Sequence, residues 1–341
     1  MKRWVWNSFW FVLVALVLYW AFKDIDFYEV YLILTYANLT YIGLAILVTG
    51  LTFFIWALRW TFVSGNLFKG DFWFLLNVLL AGAFFNSVTG GAGVGGEPFR
   101  AHFLAKRYKR NRTSMLAYVL ADKFYQLVVL VVFAIFSIFF VFVFVNISNT
   151  LTYILEATLF FITLFLGAAI YIIVRRSNFS IGKFVKKLHF LRFFKKRFKN
   201  ASEFEEFINK HSKLFMNVFK KSVKNRKIMF EAFFLSFIFW IFNYLAAYFL
   251  FLAFKMEVNF LVIIIVVTLG NLIGSFALVP GGVAITEVTM TLLFAAMGID
   301  IAFAFIVSLL VRLIYYFFSL PIGAFSLWYI KKITQDKDKE V

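Results

Sequence analysis

Seven stretches of this chain, 4–22, 41–63, 115–145, 151–174, 228–254, 259–279 and 301–330, are dominated by apolar residues and offer no polar face to turn toward water. Each is near or above the roughly 20 residues that carry an α-helix across a hydrocarbon core. A helix that is apolar all round cannot lie on the surface of an aqueous fold, because every rotation exposes the same side chains. The pattern predicts an all-α, polytopic transmembrane helical bundle, a single integral membrane domain over residues 1–341. Composition agrees: 63% of residues are hydrophobic and 15% charged, outside the usual range of soluble domains. Cysteine is absent, which removes disulfides, thiol nucleophiles and thiolate metal ligands. Lys2 and Arg3 precede the first block as they would in a signal peptide. No small-residue cleavage site follows, so 4–22 is expected to persist as a span.

The net charge of +18 is concentrated. Residues 175–227 hold 17 Lys and Arg against Glu203, Glu205 and Glu206, and residues 100–112 hold six more with no acid. Beside membrane spans such runs reflect the cytoplasmic bias of Lys and Arg and attraction to anionic lipid headgroups, so membrane lipids are the expected partners and nucleic acid is not. The long basic run is itself patterned. Phe184, Leu188, Leu191, Phe194 and Phe198 recur at helical spacing, as do Phe204, Phe207, His211, Phe215 and Val218. Two amphipathic cytoplasmic helices on the membrane surface are expected within 175–227.

The same bias threads the chain. Lys2 and Arg3 place the N-terminus in the cytoplasm, Asp24, Asp26 and Glu29 put loop 23–40 outside, and Lys331 and Lys332 keep the C-terminus inside. An ordinary crossing by 72–89 would then carry the basic run 100–112 to the exterior. A re-entrant hairpin resolves the conflict. Residues 72–86 enter as a half-helix, the chain breaks at Gly90, Gly91, Gly95 and Gly96, and a short helix leaves from Pro98. Glycine permits the reversal and proline fits a first helical turn. By the same logic 259–298 begins and ends outside and breaks at Pro280, Gly281 and Gly282. The expectation is about six full spans and two re-entrant hairpins, eight or so hydrophobic segments in all. Residues 41–145 and 228–330 would form an inverted repeat of span, hairpin and span. Glu97 precedes Asp122 by 25 residues, and Glu287 precedes Arg312 by 25. Inverted repeats whose broken helices meet near the midplane are an architecture of secondary transporters.

Ionisable residues within apolar blocks are costly and mark functional candidates. They are Arg59, Glu97, Arg100, Asp122, Lys123, Glu287 and Arg312. Glu97 and Glu287 each follow a glycine break and open a half-helix, whose positive end favours an acid. Charges of both signs suggest ion pairs between the hairpins, Glu287 with Lys123 or Glu97 with Arg312. Such pairs are either a structural clamp or the site of an anionic headgroup, for which a cation and the free N–H groups of a half-helix are suited. Glu97, Arg100, Asp122, Lys123, Glu287 and Arg312 are the expected substrate-binding set. Gly91, Gly93 and Gly96 match a dinucleotide fingerprint in spacing only, since no strand precedes them. His102, His189 and His211 are isolated, and no metal or cofactor is expected.

Three segments together resemble a known family: Gly95-Gly96-Glu97-Pro98-Phe99-Arg100; Val119-Leu120-Ala121-Asp122-Lys123; and Val279-Pro280-Gly281-Gly282-Val283-Ala284-Ile285-Thr286-Glu287, followed by Arg312. The chain resembles the transmembrane region of lysylphosphatidylglycerol synthases, which also exists as stand-alone, flippase-like membrane proteins. The resemblance covers roughly residues 41–330. It departs where the family commonly has glycine (Ala284), arginine (Thr286) and an acid-arginine pair (Asp122-Lys123). The resemblance implies movement of lipid between leaflets without the soluble aminoacyl-transfer domain, hence no enzyme. The expected function is translocation of an anionic or polyprenyl-phosphate-linked lipid across the cell membrane. The rivals are a non-transporting partner of a glycosyltransferase or lipid-modifying enzyme, and a membrane-embedded transferase.

Overall fold

Four short polar side chains start the long helices. Asn38 Oδ1 accepts from the Thr40 N–H at 3.0 Å, Asn111 from Thr113 at 2.9 Å, Asn225 from Lys227 at 3.0 Å and Asp300 from Ala302 at 2.9 Å. Each satisfies a backbone donor that the first turn cannot pair internally. The computed structural model describes residues 27–68, 70–89, 95–145, 152–153, 155–160, 162–164, 167, 201–276 and 282–339. The expected span 4–22, most of 151–174 and the apolar stripe 184–198 lie outside these residues.

In chain order the helices are α1 (Phe27–Thr35), α2 (Leu39–Val63), α3 (Phe72–Val88), α4 (Glu97–Arg107), α5 (Arg112–Phe144), α6 (Ala201–Lys224), α7 (Arg226–Ala253), α8 (Phe260–Phe276), α9 (Ile285–Ala296), α10 (Ile301–Phe317) and α11 (Gly323–Lys339). No strand occurs among the described residues. Among the described residues, the helices capped by Asn38, Asn111, Asn225 and Asp300 are the ones long and apolar enough to cross a membrane, the last running through α10 and α11 as 301–334. Between α10 and α11 the helix widens into a π turn, Phe318–Ile322, around Pro321, whose ring and missing N–H an α-helical turn does not accept.

The order long, short, short, long occurs twice, as α2–α5 and as α7–α11. The 17 residues of α3 reach about 25 Å at 1.5 Å per residue, short of the roughly 30 Å hydrocarbon core. The chain then turns back. Arg107 Nη2 at the end of α4 donates to Asp71 Oδ1 at 3.1 Å, and Tyr108 OH donates to Asp71 Oδ2 at 3.0 Å, beside the start of α3. The first hairpin therefore returns to the level it left. Burial and the Asp71 carboxylate hold the Tyr108 phenol above its ordinary pKa, so it stays a donor. In the second hairpin α8 packs along α9.

Two apolar clusters flank the centre. One joins α2, α3 and α4 with Met115, Val119 and Ile330, and the larger joins α5, α7, α8, α9 and α10. Trp56 and Phe318 border both. The last part of α6 docks on this body rather than lying on lipid alone. Tyr125 OH donates to the Ser222 carbonyl at 2.9 Å, and Phe219 meets Phe124 with ring centroids 5.9 Å apart.

Candidate functional site

Asp122 and Lys123 are neighbours on α5 that serve different partners, as a rotation of about 100° per helical residue requires. Asp122 faces α2. Arg59 Nε donates to its Oδ1 at 2.6 Å, Arg59 Nη2 donates to its Oδ2 at 3.1 Å, and Trp56 Nε1 donates to Oδ2 at 2.8 Å. Arg59 also donates to Ser236 Oγ at 3.0 Å and to Gln126 Oε1 at 3.4 Å, and the pair is buried. Lys123 turns to the first hairpin, its Nζ 2.8 Å from Glu97 Oε1. Glu97 opens α4, with no side chain capping that helix from Gly96, so the acid meets the positive helix end directly. One turn later Arg100 lies 3.8 Å from the same carboxylate oxygen and covers the rings of Trp56 and Trp60 at 4.4 and 6.0 Å. Arg100 Nε and Nη2 and Glu97 Oε2 are buried and have no hydrogen-bond partner among the described residues. Gly82 of α3 makes room for Arg100, because a β-carbon there would collide with the guanidinium stem. Asn86 Oδ1 accepts the Gly96 N–H at 2.6 Å and fastens the break to α3.

The second hairpin repeats the theme. Glu287, in the first turn of α9, receives Arg312 Nε at 3.2 Å, and Arg312 Nη2 donates to Tyr316 OH at 2.8 Å. The guanidinium also lies over the rings of Tyr315 and Tyr316, at 5.6 and 5.0 Å. Glu287 Oε2 is buried without a partner among the described residues. Gly282 (φ 67°) and Ala284 (φ 71°) shape the entry to α9, which no side chain caps. Positive φ is glycine's territory, a physical reason for the glycine expected where Ala284 stands.

These pairs correct the expectation of ion pairs between hairpins. Glu97 pairs with Lys123 rather than Arg312, and Glu287 pairs with Arg312 rather than Lys123. The cause is the short turn after each half-helix. Residues 108–111 join α4 to α5 and 297–300 join α9 to α10, so each long helix runs back beside the short one. Counting outward from such a turn brings residue 97 opposite 122–123 and residue 287 opposite 310–312. Separations of 26 (Glu97–Lys123) and 25 (Glu287–Arg312) residues follow from two helices joined by a tight turn.

The two pairs meet at one cavity of about 370 Å³, within the size range of small-molecule sites. Glu97, Lys123, Gly282, Thr286 and Arg312 line it from both hairpins, together with the amides Asn86, Gln126, Asn243 and Asn271. Leu127, Leu130, Val131, Leu250, Val267 and Leu272 supply an apolar side. Of the expected binding set the wall holds Glu97, Lys123 and Arg312, whereas Arg100, Asp122 and Glu287 are buried and outside the lining. Gly95 and Gly96 immediately precede α4. Gly90, Gly91, Pro280 and Gly281 fall outside the described residues. The four amides are absent from the expected binding set, which rests on charge. A signal for them exists, since an uncharged amide inside an apolar block is itself costly without a partner.

A family model, the lysylphosphatidylglycerol synthase TM region, matches residues 8–323. A UPF0104 membrane protein of Pyrococcus horikoshii is 28% identical over 323 residues, covering 91% of this chain and 92% of the relative. A second, from Methanothermobacter thermautotrophicus, is 25% identical and covers 88% of each chain. A third, from Methanocaldococcus jannaschii, is 27% identical and covers 95% of this chain and 93% of its own. Helices of membrane length, paired broken helices and a match over nearly the whole chain lead to one statement: this membrane protein belongs to the lysylphosphatidylglycerol synthase transmembrane-region family.

Proposed function

We propose that the protein moves an anionic or polyprenyl-phosphate-linked lipid between leaflets of the cell membrane, as a transporter and not an enzyme. Both termini are cytoplasmic in this reading, and the two helix series are related by inversion. The observation that carries it is the cavity between the hairpins, lined by Lys123 from one half and Arg312 from the other, with apolar side chains that suit a lipid stem. The charge balance supports an anion there. The cations Arg59, Arg100, Lys123 and Arg312 outnumber the carboxylates Asp122, Glu97 and Glu287 by one. An uncompensated charge in a low-dielectric core is expensive, and a bound phosphate removes the cost.

A second reading, a non-transporting partner of a glycosyltransferase or lipid-modifying enzyme, draws on the Arg59–Asp122 clamp, which is buried and fully engaged. Reconstitution separates the two. Purified protein goes into phosphatidylcholine vesicles doped with acyl-labelled fluorescent phosphatidylglycerol, and dithionite is added outside. The transport reading expects the label of the inner leaflet, protected in empty vesicles, to become reducible as protein density rises. Protection unchanged at every density contradicts transport and favours the partner role.

A further inference from the structure

We propose that Arg100 is a reserve counterion, which takes over Glu97 when an anion in the cavity draws Lys123 away. The proposal rests on the anionic-lipid reading and names a positioning residue for that site. Two cations attend one carboxylate oxygen. Lys123 Nζ lies 2.8 Å from Glu97 Oε1, and Arg100 Nη1 lies 3.8 Å from the same atom. They differ in access. The Lys123 side chain is 20% exposed and lines the cavity, whereas that of Arg100 is 1% exposed and stands outside the lining. An anion entering the cavity therefore meets Lys123 first. Arg100 is also underused. Its Nε and Nη2 are buried with no hydrogen-bond partner among the described residues, and Glu97 Oε2 is in the same condition. Unmet donors on a buried guanidinium are costly, and so is a half-used buried carboxylate.

Asp122 does not claim those donors, because Arg59 and Trp56 already engage both of its oxygens. Arg100 is held instead by the Trp56 and Trp60 rings, at 4.4 and 6.0 Å, and by the gap over Gly82. An aromatic face attracts a cation without using its N–H groups. Glu97 and Arg100 lie one turn apart on one side of α4. Closing 3.8 Å to about 2.8 Å makes a charge-assisted hydrogen bond by side-chain motion alone. Without that move, Lys123 leaving Glu97 for an anion would strand a buried carboxylate. With it, Glu97 has Arg100, the anion has Lys123, and the surplus charge of this half is matched. The second half places Met290, over Gly270, three residues beyond Glu287, so the reserve belongs to the first hairpin.

Arg100→Met copies the side chain that the second half already accommodates over its glycine. The change leaves Glu97 with Lys123, so the variant should melt at or above the wild-type temperature. A structural ion-pair member would do the opposite, and a variant that melts clearly lower or fails to fold overturns the proposal. Binding is read from the rise in melting temperature as dihexanoyl phosphatidylglycerol is titrated in. Arg100→Met should weaken that lipid about tenfold, the lower end of what one lost hydrogen bond to a charged group gives. In a Glu97→Gln background no carboxylate needs a counterion, and Arg100→Met should cost nothing further. An equal cost in both backgrounds means that Arg100 acts by its field alone, and overturns the proposal. Wild-type affinity in Arg100→Met does the same. The vesicle assay separates this role from transport. Protein that binds the short lipid in this pattern but moves none refutes transport and leaves the role of Arg100 standing. Protein that moves lipid without such binding overturns the proposal and leaves transport standing.

Discussion

In the first hairpin the side chain lying over a helical glycine is a guanidinium; in the second it is a thioether. Gly82 stands ten residues beyond the start of α3 (72 to 82), and Gly270 ten beyond the start of α8 (260 to 270). A β-carbon on either would strike the residue three past the hairpin's acid, Arg100 after Glu97 and Met290 after Glu287. The geometry is shared and the chemistry is not. The first series holds Arg59, Arg100 and Lys123 against Asp122 and Glu97, a surplus of one cation. The second holds Arg312 against Glu287 and is neutral. Two broken helices can therefore be built alike while only the first series carries a surplus of cations. The neutral half contributes the second wall and the larger apolar core.

The sharpest way to break this comparison is at the two arginine–carboxylate pairs. Arg59→Leu removes a guanidinium with no solvent exposure and strands Asp122, so it should lower stability by about 3–5 kcal/mol. Arg312→Leu acts on a pair that reaches the cavity, with its side chains 11% and 7% exposed, and should cost clearly less. Melting of the two variants in the same detergent measures the difference, and equal losses would erase the distinction between a dry clamp and a cavity pair.

The glycines come next. Gly82→Ala pushes on an Arg100 held against two indoles and should cost about 1–3 kcal/mol, whereas Gly270→Ala meets the flexible Met290 and should cost less. A reversed order in thermal melting would mean that Arg100 is the looser of the two. A smaller gain is expected from Ala284→Gly, which relieves a positive φ and should raise stability by up to about 1 kcal/mol, with chain entropy offsetting part of it. The smallest effect belongs to Asp71→Asn at the base of the first hairpin. Its ion pair with Arg107 is partly exposed, so the loss should stay near or below about 1 kcal/mol, checked in the same melting series.

Much of this plan is legible in the amino-acid sequence. Runs of apolar residues locate the helices, and the collision of 100–112 with the charge rule requires the first hairpin, whose base Asp71, Arg107 and Tyr108 close. Glu97 and Glu287 stand in the first turns of half-helices because glycine breaks precede them. The partners are harder to read. That Arg59 holds Asp122 depends on α2 packing beside α5, a contact 63 residues apart with no local pattern to announce it. The pairs Glu97–Lys123 and Glu287–Arg312 stand 26 and 25 residues apart, but a repeat produces similar spacings, so the number alone does not say which acid meets which cation. The amides Asn243 and Asn271 escape a search for charge, although an amide in an apolar helix carries a real cost of its own.

The most direct test of the account neutralises the cavity pair of the second half as a unit. Glu287→Gln with Arg312→Gln removes both charges together and leaves no unpaired charge, so the double variant should melt close to the wild type. Lipid movement in proteoliposomes is then compared at matched protein density. If Arg312 serves a headgroup, the well-folded double variant moves phosphatidylglycerol no faster than empty vesicles. A double variant that moves lipid at the wild-type rate contradicts the account, because Arg312 and Glu287 would then be structural alone.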